Sequence, residues 1–254
     1  MFMNASAPIG VFDSGVGGIS VLQTLHKMLP GEDFVYFGDT LHAPYGTRTE
    51  NEIISLSKNV MDFLDRKGIK AAVIACNTIT AAAAAVLREE YAFPIIGMEP
   101  ALKLAYDTVG PDKKILVLAT PATTASEKYG KLKALYGKNA LSIPCPGLME
   151  FAERRELDIP ALHAYLDGIF TMEVKKDLAA VVLGCTHYVF LREAIARHAG
   201  NAVVLDGNEG TARQLIRRLE EQHLLRNRAS DGSIRLFSSG GESSVKLMRD
   251  LLQE

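Results

Sequence analysis

Short apolar runs alternate with longer amphipathic segments along the whole chain. The runs are rich in Val, Ile and Ala, and most end at Gly, Pro or polar residues. Such runs predict buried parallel strands, and the segments between them, apolar at helical spacing, predict helices. Strands are predicted at residues 9–12, 34–37, 71–75, 94–97, 115–119, 141–147, 179–183, 203–205 and 234–237. Helices are predicted at about 19–28, 51–67 and 81–90, from about 126, and at about 160–170, 190–198, 210–221 and 243–252.

The pattern occurs twice, which predicts a duplicated α/β lobe. The strand at 9–12 has a counterpart at 115–119, and the run before Cys76 has one before Cys185, at nearly equal offsets. Alternating strands and helices predict parallel, doubly wound sheets. We therefore expect two pseudosymmetric lobes, each a mostly parallel sheet flanked by helices, with the active site between them. The expected lobes are residues 1–97 with 207–254, where the chain end returns to the first lobe, and residues 98–206.

Composition narrows the classes of function. A net charge of −2 gives no electrostatic reason to expect nucleic acid or an anionic membrane as a partner. The chain has no apolar run near 18 residues, so we expect no spanning helix. Residues 1–8 lack a basic region followed by an apolar one, so we predict no signal peptide. Three scattered cysteines do not form a disulfide framework, which favours reduced thiols and a cytoplasmic location.

The loop after the first strand carries the first candidate site. Asp13 and Ser14 leave an apolar strand and enter a glycine-rich turn that precedes a helix. The turn lacks the third glycine of a dinucleotide fingerprint, which is Ser20 here, and the Gly-Lys-Ser/Thr ending of a P-loop. It could be a plain strand-to-helix turn. We favour a turn that presents Asp13, Ser14 and backbone N–H groups to a small anion.

Two further stretches lie where ligand-binding loops collect. Pro44-Tyr45-Gly46 has turn composition and follows the second predicted strand. Tyr45 alone would more often be a packed residue than a functional one. Ligands of open α/β sheets bind beyond the carboxyl ends of the strands, so this loop and Thr120, which follows the strand at 115–119, are candidates for substrate binding.

Cys76 and Cys185 are the main candidates for catalytic chemistry. Three interpretations are considered: a metal site, a redox pair and proton transfer. A metal site needs about four clustered ligands; these cysteines with His187 would supply three, and the chain has no Cys-x-x-Cys pair. A redox pair of thiols would leave Asp13 and Thr78 without a role. The third cysteine, Cys145, is expected to be a small buried hydrophobe.

Proton transfer at the α-carbon of an amino acid gives every candidate a role. A helix N-terminus stabilises a thiolate, so a cysteine at a strand end can act as a base. One thiolate would remove the α-proton and the other group, as a thiol, would return a proton to the opposite face. We expect Asp13 to assist Cys76, and His187 with Glu153 to assist Cys185. The remaining polar candidates would hold the substrate's carboxylates and ammonium: Ser14, Tyr45, Gly46, Asn77, Thr78 and Thr186.

Four ordered motifs closely resemble the glutamate racemases, a cofactor-independent family of the aspartate/glutamate racemase superfamily. The motifs are FDSGVGG at 12–18, GDT at 38–40 with PYG at 44–46, ACNT at 75–78 and GCTHY at 184–188. The resemblance covers essentially the whole chain. It departs near the second cysteine, where Val189-Phe190 stands in place of a common Pro, and at Glu150, also a common Pro position.

The resemblance implies an isomerase that interconverts L- and D-glutamate without a cofactor and supplies D-glutamate for peptidoglycan. It implies Cys76 and Cys185 as the paired acid/base groups, with Asp13, His187 and Glu153 as auxiliary catalytic residues. It also implies a homodimer whose small-molecule partner is glutamate, with no metal. The substrate-binding residues expected on these grounds are Asp13, Ser14, Pro44, Tyr45, Gly46, Asn77, Thr78, Thr120, Thr186 and His187.

Two other functions stay open on the sequence. One is an aspartate or other amino-acid racemase of the same superfamily, since pocket size cannot be derived from sequence and one methylene is discriminated by roughly 10–200-fold. The other is a non-catalytic module that binds an acidic amino acid between two lobes. Such a module would not need two matched thiols. No lysine stands out as a Schiff-base former for pyridoxal phosphate.

Overall fold

The structure, a computed structural model, describes residues 4–226 and 230–253. The chain forms two compact units, Met1–Met98 with Asn208–Glu254, and Glu99–Gly207. The strands are β1 Ile9–Asp13, β2 Phe34–Gly38, β3 Ala71–Ile74, β4 Ile95–Gly97, β5 Lys114–Ala119, β6 Ala140–Pro144, β7 Leu178–Gly184, β8 Val203–Leu205 and β9 Ile234–Ser238.

Helices connect the strands in both units. They are α1 Ile19–Met28, α2 Glu50–Arg66, α3 Asn77–Glu90, α4 Leu102–Val109, α5 Pro121–Ala125, α6 Glu127–Tyr136, α7 Leu148–Glu153, α8 Pro160–Ile169, α9 Met172–Lys175, α10 Arg192–Ala199, α11 Asn208–Glu221 and α12 Glu242–Leu252. Short 3-10 helices lie at Tyr45–Thr47 and Thr186–Val189. In the part of the chain that the structure describes, none of the helices has the length and apolar character needed to cross a membrane.

The first unit contains a five-stranded parallel sheet in the order β4-β3-β1-β2-β9. Phe12 and Ile74 from this sheet pack with Met61 of α2 and Ala83 of α3 in one apolar cluster. Helix α1 contacts α11 and α12. β1 and β3 are buried along their whole length, and residues 9–12 and 71–74 are continuous apolar runs, as is typical of strands covered on both faces.

The second unit contains a four-stranded parallel sheet in the order β6-β5-β7-β8. Leu116 and Leu118 of β5 belong to a cluster that includes residues of α7, α8 and α10. Ile115 and Val117, which alternate with them, belong to a second cluster with residues of α4 and α6. Alternate side chains of a strand point to opposite faces, so helices cover both faces of this sheet.

The two sheets have the same topology, which confirms the predicted fold class of two pseudosymmetric, parallel-sheet lobes. The order β4-β3-β1-β2 of the first unit corresponds to β8-β7-β5-β6 of the second. The first unit carries one additional strand, β9, which pairs with β2 and packs against α12. The chain end thus returns to the first unit.

Several element bounds differ from the prediction. Helix α3 begins at Asn77, directly after Cys76, rather than near residue 81, because Asn and Thr are weak helix formers whose presence suggested a loop. The short helices α4, α5 and α9 were not predicted. The helix expected at about 190–198 is α10, which begins two residues later at Arg192, and a 3-10 helix at Thr186–Val189 precedes it. The sequence also predicts a polar loop at 227–232, of which residues 227–229 lie outside the described residues.

The amino end of β2 is held in place by a backbone hydrogen bond and an ion pair to Asp33. The Asp33 carboxylate, just before β2, accepts hydrogen bonds from the backbone N–H of Ser233 at 2.7 Å and from the Arg226 guanidinium. The backbone hydrogen bond from Ser233, followed by that from Arg226, holds the pKa of the Asp33 carboxyl well below its usual range. This carboxylate therefore ties β2 to the segment that precedes β9.

Candidate functional site

The two cysteines that follow buried strands occupy equivalent positions in the two sheets. Phe12 of β1 pairs with Ile74, two residues before Cys76. Leu118 of β5 pairs with Leu183, two residues before Cys185. Each cysteine therefore lies just beyond the carboxyl end of its strand, where parallel sheets place their ligand sites.

Asp13 and Ser14 lie beside Cys76 in the first unit, and all three are buried. The Asp13 carboxylate accepts hydrogen bonds from the backbone N–H of Gly15 at 2.9 Å and from the Ser14 hydroxyl at 3.1 Å. The Ser14 Oγ lies 3.7 Å from the Cys76 Sγ. Ser14 thus bridges the carboxylate and the thiol.

The glycine-rich turn allows this close packing. A Cβ atom at Gly18 would lie 2.7 Å from the Cβ of Asp13, so a larger residue would displace the carboxylate. The turn was expected to present backbone N–H groups to an anion. At least one of them, that of Gly15, instead donates to Asp13. The turn therefore fixes the orientation of the Asp13 carboxylate. This arrangement suits a role for Asp13 beside the Cys76 thiol better than it suits binding of a phosphate by the turn.

Cys76 occupies the N-cap position of α3. Its backbone is extended, with φ −149° and ψ 123°, and the helix begins at Asn77. Thr78 follows and is buried. The Asn77 side chain is 4% exposed, yet neither its Nδ2 nor its Oδ1 has a hydrogen-bond partner. Buried amides are normally hydrogen bonded, so an amide with both ends free, next in the chain to Cys76, is typical of a ligand site.

The loop after β2 brings Tyr45 to the same region of the first unit. Tyr45 and Gly46 are buried, follow Pro44, and begin a short 3-10 helix. Tyr45 packs in the same apolar cluster as Cys76. Its hydroxyl donates a short hydrogen bond to the Asp39 carboxylate. Burial, reinforced by Asp39, raises the pKa of Tyr45 far above its ordinary value, so the hydroxyl stays protonated.

The second unit gives Cys185 a different set of neighbours. Its Sγ lies 3.8 Å from the Nδ1 of His187, and the Nε2 of His187 lies 3.1 Å from a carboxylate oxygen of Glu153. His187 and Thr186 are buried, whereas Glu153, at the end of α7, is partly exposed. The side chains of Cys185, His187 and Glu153 therefore lie in a row.

Cys145 is placed as a packed residue. It follows β6, its Sγ donates to the carbonyl oxygen of Ile143 at 3.3 Å, and burial raises the pKa of its thiol to about 12. Strands β6 and β7 flank β5 on opposite sides, so Cys145 and Cys185 are about two strand spacings, roughly 10 Å, apart. That separation is too long for a disulfide without backbone movement.

The side chain of Thr120 forms a hydrogen bond within its own segment of the chain. It caps the N-terminus of α5, where its Oγ1 accepts a hydrogen bond from the backbone N–H of Thr123 at 3.2 Å. Its position after β5 corresponds to that of Ser14 after β1, since Asp13 and Ala119 end the two equivalent strands.

Sequence analysis did not single out Asp39 and His42 as site residues. The Nδ1 of His42 lies 2.8 and 3.0 Å from the two carboxylate oxygens of Asp39. Asp39 leaves an apolar strand just as Asp13 does, so the same signal was present at both positions. Across residues 4–226 and 230–253, no group of three or more His, Cys, Asp or Glu side chains is arranged to hold a metal.

Comparison with known proteins identifies the family. Residues 9–215 match the family described as Asp/Glu/Hydantoin racemase. The chain belongs to this family. Its relatives include the glutamate racemase of Clostridium novyi (strain NT), to which it is 45% identical over 251 residues, with 96% of each protein covered.

Solved structures of this racemase family support the same assignment. The chain matches a glutamate racemase isoform from Bacillus anthracis with a TM-score of 0.89 at 32% identity, covering 99% of this chain and 96% of that one. It matches the glutamate racemase of Francisella tularensis in complex with D-glutamate with a TM-score of 0.83 at 30% identity, covering 98% and 95%. The resemblance to glutamate racemases inferred from the sequence motifs is therefore confirmed.

Proposed function

We propose that this chain interconverts L- and D-glutamate by a two-base mechanism in which Cys76 and Cys185 transfer the α-proton without a cofactor. The observation that carries the proposal is the equivalent placement of the two cysteines at the ends of β3 and β7. The curated relatives and the D-glutamate complex of a structural neighbour support glutamate as the substrate.

The proposed reaction is a balanced proton exchange. One cysteine, as a thiolate, takes the α-proton and becomes a thiol, and the α-carbon becomes a carbanion. The other cysteine, as a thiol, donates its proton to the opposite face and becomes a thiolate. The roles reverse for the other enantiomer, and exchange with solvent restores the starting protonation states. Because the two faces of one carbon are attacked, the proposal requires Cys76 and Cys185 to reach the same substrate molecule.

Each thiol has a candidate partner for its proton chemistry. The Ser14 hydroxyl links Asp13 to Cys76: while it donates to the Asp13 carboxylate it can accept from the Cys76 thiol, and after rotation it can donate to the Cys76 thiolate. His187 lies beside Cys185 and is backed by Glu153. A His held by a carboxylate can accept and return a proton.

The remaining residues are proposed to bind the substrate. The unpaired amide of Asn77 offers a donor and an acceptor, which suits a group that contains both ammonium and carboxylate. Backbone N–H groups at the start of α3 favour a carboxylate. The other residues assigned to substrate are Asp13, Ser14, Pro44, Tyr45, Gly46, Thr78, Thr120, Thr186 and His187.

The biological setting follows from the same proposal. D-Glutamate made by this reaction would supply peptidoglycan synthesis, as the family resemblance implies. The three cysteines are free thiols, which accords with the cytoplasmic location expected from the sequence. A homodimer is a further proposal that rests on the family resemblance alone.

Solvent exchange tests the proposal. The protein is incubated in D2O with L-glutamate, and separately with L-aspartate, without added cofactor. We expect the α-proton NMR signal of glutamate and its circular dichroism to be lost together. If only aspartate loses its α-proton signal and circular dichroism, the proposed mechanism stands and glutamate as the substrate is overturned. If neither amino acid exchanges but glutamate binds, the chain is a binding module and the proposed reaction is wrong.

A further inference from the structure

The loop after β2 is fastened to one buried carboxylate. Asp39 is 3% exposed, and it accepts a hydrogen bond from the Tyr45 hydroxyl and contacts the Nδ1 of His42 at 2.8 and 3.0 Å. The Arg48 guanidinium in turn donates from Nε and Nη2 to the carbonyl oxygen of His42, at 2.9 and 2.6 Å. The chain therefore folds back over Asp39 from both sides of the Pro44-Tyr45-Gly46 turn.

The sheet itself does not require a polar side chain at this position. Asp39 follows β2 just as Cys145 follows β6: Asp39 N–H donates to the carbonyl oxygen of Asp13 at 3.0 Å, and Cys145 N–H donates to that of Ala119 at 2.8 Å. In the second unit the equivalent residue is an apolar, packed thiol. A buried carboxylate is costly unless it is hydrogen bonded, so its presence in the first unit alone points to the loop it holds.

We propose that Asp39 is a positioning residue that fixes the Tyr45 hydroxyl and, through it, the Tyr45–Gly46 turn in the geometry that binds substrate, with His42 completing the hydrogen bonds of the carboxylate. The proposal rests on the proposed function, because it needs Tyr45 and Gly46 to contact glutamate. Asp39 acts through Tyr45 and does not touch the reacting atoms.

The direction of the hydrogen bond gives the phenol a defined role. Since the Tyr45 proton points to Asp39, the lone pairs of the hydroxyl oxygen remain available as acceptors. The ring lies in the same apolar cluster as Cys76, and Gly46, next in the chain, is also buried. Without Asp39 the phenol would lose its acceptor and the turn would lose its attachment to the end of β2.

A double-mutant cycle of Asp39→Ala and Tyr45→Phe tests the coupling. Each single variant should raise KM for glutamate about 10- to 100-fold, the effect of a hydrogen bond to a charged group, with a smaller fall in kcat. Combining them should raise KM by little more than either change alone, because both remove the same hydrogen bond. Asp39→Asn keeps an acceptor for the hydroxyl and should restore most of the affinity.

Asp33→Asn is the matched control. Asp33 and Asp39 flank the same strand, β2, but Asp33 lies at its other end and holds Ser233 and Arg226. This variant should lower the urea midpoint and leave KM unchanged, which separates a loss of stability from a loss of positioning.

The outcomes are distinguishable. KM effects of Asp39→Ala and Tyr45→Phe that multiply independently, or an Asp39→Asn variant as impaired as Asp39→Ala, would overturn the inference while the racemase activity stands. If Asp39→Ala does not fold, Tyr45→Phe decides, and a KM within about twofold of the wild-type value overturns the proposal. Failure of the wild-type chain to exchange the α-proton of glutamate would instead overturn the proposed function.

Discussion

Cys185 and His187 are neighbours in space as well as in sequence, with the thiol Sγ 3.8 Å from the ring Nδ1. The opposite ring nitrogen, Nε2, lies 3.1 Å from Glu153. Cys76 holds the equivalent register position in the other sheet but has Ser14 Oγ at 3.7 Å instead of an imidazole. The two units therefore share a sheet topology and differ in the side chains that lie beside Cys76 and Cys185.

Glu153 is expected to support catalysis through His187. Glu153→Gln keeps a hydrogen-bonding side chain but removes the negative charge that stabilises a protonated imidazole. We expect kcat/KM for glutamate to fall about 10- to 100-fold, measured by circular dichroism with each enantiomer. Glu150→Gln on the same helix is the control, because Glu150 is exposed and pairs with Arg154 on the surface. Equal activity of both variants would contradict the role of Glu153.

Both cysteines are expected to be essential for racemisation. Cys76→Ala and Cys185→Ala each remove one of the two acid/base groups, so neither should interconvert the enantiomers at a measurable rate. Cys→Ser variants should lose at least about 100-fold, because an unactivated hydroxyl is a poor base at neutral pH. The measurement is the change in optical rotation starting from each enantiomer. A Cys→Ser variant with full activity would contradict the two-thiol mechanism.

Cys145 is expected to be chemically silent. The pKa of its thiol is raised to about 12, so at pH 8 only about one thiol in ten thousand is ionised, and the thiolate is the reactive form. Iodoacetamide followed by mass spectrometry should therefore leave Cys145 unmodified in the folded protein. Cys145→Ser should keep wild-type kcat and KM. Rapid labelling of Cys145, or a loss of activity in the serine variant, would mean that this thiol belongs to the site.

Most of the fold was predictable because buried parallel strands leave a strong signal. The apolar run before Cys76 and the run before Cys185 identified equivalent strands, and their register confirms the duplication. The hydrophobic pattern did not predict the start of α3, where the local preferences of single residues compete with helix formation. Asn77 and Thr78 suggested a loop yet begin α3, because the first turn of a helix has unpaired N–H groups in any case.

The candidate site was only partly predictable, because its contacts join distant segments. Glu153 and His187 lie 34 residues apart, and their pairing was expected from the acid–base interpretation and the family resemblance rather than from spacing. Asp39 carried the same sequence signal as Asp13, a carboxylate at the end of an apolar strand, but was not predicted as a site residue. Its contact with Tyr45 becomes visible only when the loop is folded.

The stability of the first unit is expected to depend on pH through Asp33. Its pKa is held well below the ordinary value of 3.8, first by the backbone N–H of Ser233 and then by Arg226. A depressed carboxyl pKa stabilises the folded state above the unfolded pKa, and this contribution is lost as the pH falls from about 4 toward the folded value. Asp33→Asn cannot titrate, so it should be less stable by about 1–3 kcal/mol at pH 7.

Urea unfolding of the wild-type protein and Asp33→Asn, followed by circular dichroism between pH 7 and pH 3, measures this contribution. The gap between the two midpoints should be constant above about pH 5, because the wild-type carboxyl is ionised in both the folded and the unfolded state there. Below about pH 4 the gap should narrow, since protons bind the unfolded wild-type chain first. A gap of the same size at pH 3 and pH 7 would show that the loss in Asp33→Asn comes from packing and not from the charge of Asp33.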